Sequence, residues 1–133
     1  MTGRAKGAFQ VMLEPQGPDE VYRETVMGRM LIRKSFSGDL EGESRGQMLT
    51  AGASVKGSAG YVAIELVTGT LRGRNGSFVL QHRGVMNRGA PELKITVVPD
   101  SGTGQLEGIS GAMTINIVDG KHLYEFEYSL ESP

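Results

Sequence analysis

The stretch Ala112-Met113-Thr114-Ile115-Asn116-Ile117-Val118-Asp119-Gly120-Lys121-His122-Leu123-Tyr124-Glu125-Phe126-Glu127-Tyr128 decides the fold. Asp-Gly is a favoured two-residue hairpin turn, because both central positions need positive φ. Placing the turn at Asp119-Gly120 pairs Val118 with Lys121 and Ile117 with His122. One face then carries Met113, Ile115, Ile117, His122, Tyr124, Phe126, Tyr128 and Leu130. The other carries Thr114, Asn116, Lys121, Glu125, Glu127 and Ser129. Side chains alternate across a strand, so this separation predicts a hairpin with one face in the core.

The same reading extends along the chain. Period-2 alternation is widespread and no segment has a helical period. Strands are expected near Gly7–Leu13, Thr25–Phe36, Leu40–Leu49, Ala59–Leu71, Ser77–Met86, Leu93–Val98, Ala112–Val118 and Lys121–Leu130, with a short one at Gln105–Glu107. Pro15-Gln16-Gly17-Pro18-Asp19 reads as a loop. Glycine supplies 20 residues, and the pattern Gly-x-Leu-x-Gly recurs at Gly38–Gly42, Gly69–Gly73 and Gly104–Gly108. Glycines where strands turn or bend let a sheet coil until it closes. The fold class is therefore all-β: a closed antiparallel barrel of about eight strands forming one domain over residues 1–133.

A second turn, Asn75-Gly76, sets the register of an earlier hairpin. Tyr61, Ala63, Glu65, Val67, Leu71, Phe78, Leu80, His82 and Met86 share the face with more aromatic bulk, which is placed inside. The opposite face holds Val62, Ile64, Leu66, Arg72, Val79, Gln81, Arg83 and Val85. It is also apolar, which implies an outer contact with a second subunit, so a homo-oligomer is expected and a dimer is favoured.

Composition narrows the chemistry. The 133 residues are 38% hydrophobic and 22% charged, with net charge −1 and no cysteine. Disulfides, thiol catalysis and thiolate zinc sites are excluded. A near-neutral chain has no general electrostatic grip on nucleic acid or an anionic membrane, so neither is an expected partner. Arg29 and Arg33, and Arg72, Arg74, Arg83 and Arg88, read as a solvated rim. No apolar run resembles a signal peptide or membrane span, and cytoplasm is the expected location.

The two histidines, His82 and His122, lack metal-ligand spacing, so no metal and no cofactor are expected. Asp100-Ser101-Gly102-Thr103 mimics the aspartic-protease motif, but only about a quarter of the chain follows it, and a turn explains it. Glu65 stands out, because a buried carboxylate needs a partner. Lys34 is in phase to provide one, and His82 is the other candidate if the register differs. With the turn at Asn75-Gly76, Glu65 faces Met86 and His82 faces Gly69, an offset of about 13 Å along the strand that keeps them apart. The interior polar tips and aromatics, Tyr61, Glu65, Phe78, His82, Tyr124 and Tyr128, are the candidate ligand-binding residues, with Glu65 foremost.

With these residues in hand, the chain resembles a bacterial family, domain of unknown function 3224. The resemblance is carried by Lys34-Ser-Phe-Ser-Gly-Asp-Leu-Glu-Gly42, Tyr61 through His82, Val97 through Gly108, and His122-Leu-Tyr-Glu-Phe-Glu-Tyr128. It implies an eight-stranded barrel like that of the plant allene oxide cyclases, which steer a reactive fatty-acid epoxide through ring closure in an apolar cavity. Their site residues have no match here, so the fold transfers and the reaction does not. Three functions follow as expectations. The first is a module binding a small, largely apolar molecule in or at the mouth of the barrel. The second is a cyclase or isomerase acting by confinement. The third is a structural oligomer with a filled interior.

Overall fold

In the computed structural model, which describes residues 1–130, nine strands form one antiparallel sheet. They are β1 (Thr2–Pro15), β2 (Glu20–Tyr22), β3 (Thr25–Gly38), β4 (Leu40–Gly52), β5 (Ala59–Leu71), β6 (Arg74–Asn87), β7 (Ala90–Val97), β8 (Ser110–Val118) and β9 (Lys121–Ser129). Their order is β1-β9-β8-β7-β6-β5-β4-β3, and β1 pairs with β3 to close an eight-stranded barrel. The additional strand, β2, pairs with β3 outside that ring. At three residues it is too short to show an alternation pattern. No described helix is long and apolar enough to cross a membrane.

The Asp119-Gly120 turn forms as read, with Val118 opposite Lys121 and Ile117 opposite His122. Both turn residues have positive φ. The β5–β6 hairpin differs. It turns at Arg72-Gly73, with φ of 46° and 84°, and pairs Leu71 with Arg74. Asn75 and Gly76 lie inside β6. Gly76 is needed for close approach: a Cβ there would sit 2.1 Å from the Thr103 carbonyl oxygen. The Asn75 N–H donates to Gln105 Oε1, so the segment after β7 holds this part of β6 in the sheet.

Moving the turn changes each partner by six residues, an even number. Side-chain parity therefore survives while every pairing changes. Ala63, Glu65, Val67, Leu71, Phe78, Leu80 and His82 are all buried, whereas Val62, Ile64 and Leu66 are exposed. The expected opposition of Glu65 to Met86 and of His82 to Gly69 is replaced by Glu65 opposite Leu80 and His82 opposite Ala63.

The segment between β7 and β8 plugs one end of the barrel. Gln105–Glu107 is not a strand: Gly104–Leu106 forms a 3₁₀ turn, with the Leu106 N–H bonded to the Thr103 carbonyl. Positive φ at Gly104 and Gly108 curls the chain there. The turn buries Leu106, and Ile109 follows it into the core. Above them Phe78 stacks on Phe126 at 5.5 Å, and Phe126 packs on Tyr128. The Tyr124 hydroxyl accepts from Leu40 N–H and donates to the Ser37 carbonyl, tying β9 to the β3–β4 turn. This half of the barrel is filled.

Candidate functional site: a buried polar layer beneath the open mouth

Four adjacent strands each contribute one polar residue to the middle of the barrel: Lys34 from β3, Ser44 from β4, Glu65 from β5 and His82 from β6. Inward parity brings each side chain to the axis. Small residues open the space, since Gly46 is the register partner of Glu65, and Ala63 that of His82. Glu65 is fully buried, His82 is 4% exposed and Lys34 is 8% exposed.

All three neighbours converge on the Glu65 carboxylate. Lys34 Nζ donates to Oε1 at 3.1 Å, and His82 Nε2 meets the same oxygen at 2.7 Å. Ser44 Oγ donates to Oε2 at 2.5 Å. Burial pushes the carboxyl pKa up. The His82 hydrogen bond, the Lys34 charge and the Ser44 hydrogen bond together outweigh it and hold the pKa at about 2. Lys34 Nζ also lies 4.7 Å from the centre of the Phe9 ring, where the π face faces the cation. The expected Lys34–Glu65 pair is present. The expected separation of Glu65 from His82 is not, because the Arg72-Gly73 turn places the two residues one diagonal step apart.

Tyr61 lies on the same face as Glu65, two positions from Ala63 towards the start of β5, and is half-buried. Its ring is 6.4 Å from that of His82. It lies across Gly84, where a Cβ would stand 2.2 Å from Tyr61 Cε1. Burial raises the Tyr61 pKa, and the Glu65 charge raises it further.

Above Tyr61 is a cleft of about 710 Å³. It is lined by Gly28, Thr50, Tyr61 and Gly84 of inward parity, by outward-parity residues of the same strands that include Leu49, Val62 and Val85, and by Gln16, Pro18 and Glu20. Two of those four inward positions are glycines, and the room they leave is taken by neighbouring side chains, the Tyr61 ring at Gly84 and Asp19 at Gly28. The Pro15–Asp19 loop borders this mouth, and Asp19 Oδ1 occupies the space beside Gly28.

The candidate residues therefore divide. Tyr61, His82 and Glu65 gather at the mouth and the layer below it. Phe78, Tyr124 and Tyr128 belong to the packed half. Sequence reasoning omitted Ser44 from the site because a serine in an alternating strand carries no distinguishing signal. Its parity with Gly46 and Met48 was the available clue. Asp100–Gly104 forms part of the plug, with Ser101 Oγ bonded to the Val98 carbonyl and Thr103 Oγ1 bonded by the Ser77 N–H. Among the described residues no group of three or more His, Asp or Glu is placed to hold a metal ion.

Comparison with known proteins places this arrangement in a family. The model of the protein family of unknown function DUF3224 matches residues 5–128. A crystal structure of a protein of unknown function from that family, from Shewanella oneidensis MR-1, is similar over 100% of both chains. It has 47% sequence identity and a TM-score of 0.94. No curated protein matches the chain.

Proposed function

The chain belongs to the DUF3224 family, and on that footing we propose that its barrel binds a small, largely apolar molecule in the mouth above Tyr61. One observation carries this reading. The two ends of the barrel are unlike: one is packed with aromatics, while at the other a cleft of about 710 Å³ opens between the Gln16–Glu20 segment and the ends of β3–β6, with Tyr61 in its wall. Ligand sites are typically concave, with apolar walls and a few fixed polar groups. The volume suits a molecule of ordinary metabolite or drug size. A cytoplasmic location is part of the same proposal, since a chain without cysteine needs no oxidative folding.

The test is native mass spectrometry of protein purified without a detergent step, together with uptake of an apolar fluorescent probe. Wild-type protein is expected to retain a small molecule or take up the probe. Gly28→Leu fills the mouth and is expected to abolish both. A wild-type barrel that does neither overturns the reading.

The carboxylate–imidazole pair beside a half-buried phenol favours a second reading, an isomerase or cyclase acting by confinement. Under it Glu65→Gln reduces turnover of a bound substrate without releasing it. Equal turnover in the variant removes this reading.

The outer face of β4–β6 supports self-association. Leu49, Val62, Ile64, Leu66 and Val85 form a run of apolar side chains between 38% and 57% exposed. Leu49 and Val62 are direct register partners. Two copies are proposed to cover this face as a homodimer, since a stable interface buries about 800 Å² per partner and needs such an apolar centre. Sedimentation equilibrium at micromolar concentration distinguishes dimer from monomer.

A further inference from the structure

The cleft wall also bears on the charge of what it takes. One row of direct register partners crosses it on the outward parity: Arg29 of β3, Leu49 of β4, Val62 of β5 and Arg83 of β6. All four line the cleft, so two aliphatic side chains lie between two guanidinium groups. The row continues to Lys94 of β7, the register partner of Arg83.

Like charges directly opposite each other on one sheet face are destabilising. Between β1 and β9 the barrel avoids this: Arg4 lies opposite Glu127 and Lys6 opposite Glu125, and both are ion pairs. Arg83 and Lys94 have no such match. Glu92 lies on the same face of β7, opposite Val85, yet neither cation is ion-paired among the described residues. The other end of the row differs. Arg29 shares the cleft lining with Glu20, and the Asp19 carboxylate stands beside Gly28. The uncompensated positive charge of the cleft is therefore at its β6 end. The whole chain has net charge −1, so this charge is a local feature and not a general attraction for anions.

Resting on the reading of the mouth as the binding site, we infer that its ligand is an apolar molecule carrying one oxyanion group, with the apolar body on Leu49 and Val62 and the oxyanion held by Arg83, backed by Lys94. A guanidinium is a fixed cation with its N–H donors in one plane. An oxyanion there accepts charge-assisted hydrogen bonds and offsets the repulsion between Arg83 and Lys94. A neutral molecule gains the apolar contact alone and leaves that repulsion in place.

Two fluorescent probes share one body. N-phenyl-1-naphthylamine is neutral, and 8-anilinonaphthalene-1-sulfonate is the same skeleton with a sulfonate. Leu49 and Val62 also belong to the face proposed for the dimer, so all titrations are made at one protein concentration. Wild-type protein is expected to bind the sulfonate about tenfold more tightly, the lower end for a hydrogen bond to a charged group because the guanidinium is exposed. Arg83→Gln is expected to remove most of that preference and to bind the neutral probe as before. Lys94→Gln is expected to remove a smaller part. Arg33→Gln is the control: Arg33 faces Arg45 in a second like-charge pair on the same outer surface, outside the cleft lining. It is expected to leave the preference unchanged.

Equal affinity of the wild-type protein for the two probes overturns the inference. So does a preference that survives Arg83→Gln, or one that Arg33→Gln removes as fully as Arg83→Gln does; these results leave the mouth reading standing. Gly28→Leu is expected to weaken both probes. If neither probe binds wild-type protein, or Gly28→Leu leaves both affinities unchanged, the mouth reading itself falls and this inference falls with it.

Discussion

Glu65 and His82 are hydrogen-bonded at 2.7 Å across a strand pair in which neither is the other's register partner. His82 lies opposite Ala63, and the methyl side chain of that residue leaves the diagonal open. A larger residue at 63 would fill the space through which imidazole and carboxylate meet.

Lys34 is the charge that makes this carboxylate tolerable in the core. Lys34→Met keeps much of the stem and removes the ammonium, leaving Glu65 with His82 and Ser44 as its partners. A loss of about 3–5 kcal/mol in urea unfolding is expected, the usual cost of breaking a buried pair by removing one partner. The double variant Lys34→Met/Glu65→Leu is expected to recover a large part of that loss. Equal stability of Lys34→Met and wild type would show that the pair carries no such energy.

Acid sensitivity follows from the same carboxyl. Its folded pKa, about 2, lies below the ordinary 4.5, so the folded state favours the ionised form. That stabilisation is fully present above about pH 4.5 and is lost as pH falls towards 2. At about 1.4 kcal/mol per unit, the contribution is roughly 3 kcal/mol. Glu65→Gln is expected to be less stable at neutral pH and to show a flatter decline between pH 4.5 and 2. Parallel profiles for variant and wild type in that window would assign the acid sensitivity to other groups.

Two mouth glycines should respond unequally to a methyl group. At Gly84 the new Cβ meets the Tyr61 ring at 2.2 Å, so the ring must leave its place across β6. Gly84→Ala is expected to destabilise by about 1–3 kcal/mol, as overpacking does. At Gly28 the nearest atom is Asp19 Oδ1 at 2.7 Å, the end of a side chain that can rotate away. Gly28→Ala is expected to cost clearly less. Thermal unfolding of the two variants side by side checks the order.

Ile64 is central to the exposed apolar run on the outer face and is 51% exposed. Ile64→Glu is expected to convert the proposed dimer to a monomer in sedimentation equilibrium without lowering the stability of the isolated barrel by more than about 1 kcal/mol. A persistent dimer would move the interface elsewhere.

Alternation in the sequence determined which residues point inwards, and that parity holds from Tyr61 to His82. It follows from the chain's own pleat, which sends successive side chains to opposite faces whatever the partner strand. The all-β class and the Asp119-Gly120 hairpin were legible for the same local reason. Register was decided only by the tertiary structure. Asn75-Gly76 is the better isolated turn, yet the chain turns at Arg72-Gly73. There Gly76 lets the plug pass close, Asn75 takes Gln105, and the interior glycines Gly69 and Gly76 face each other. The contacts of Asn75 and Gly76 with the plug join residues some thirty positions apart, and no local propensity encodes them. The six-residue change in pairing keeps the inward residues from Tyr61 to His82 on the inner face, although Met86, expected with them, is exposed, and it moves His82 from a position opposite Gly69 to hydrogen-bonding distance of Glu65. Local periodicity thus determined the inventory of the polar layer, apart from Ser44. Which of its members touch was decided by the closure of the barrel around its plug.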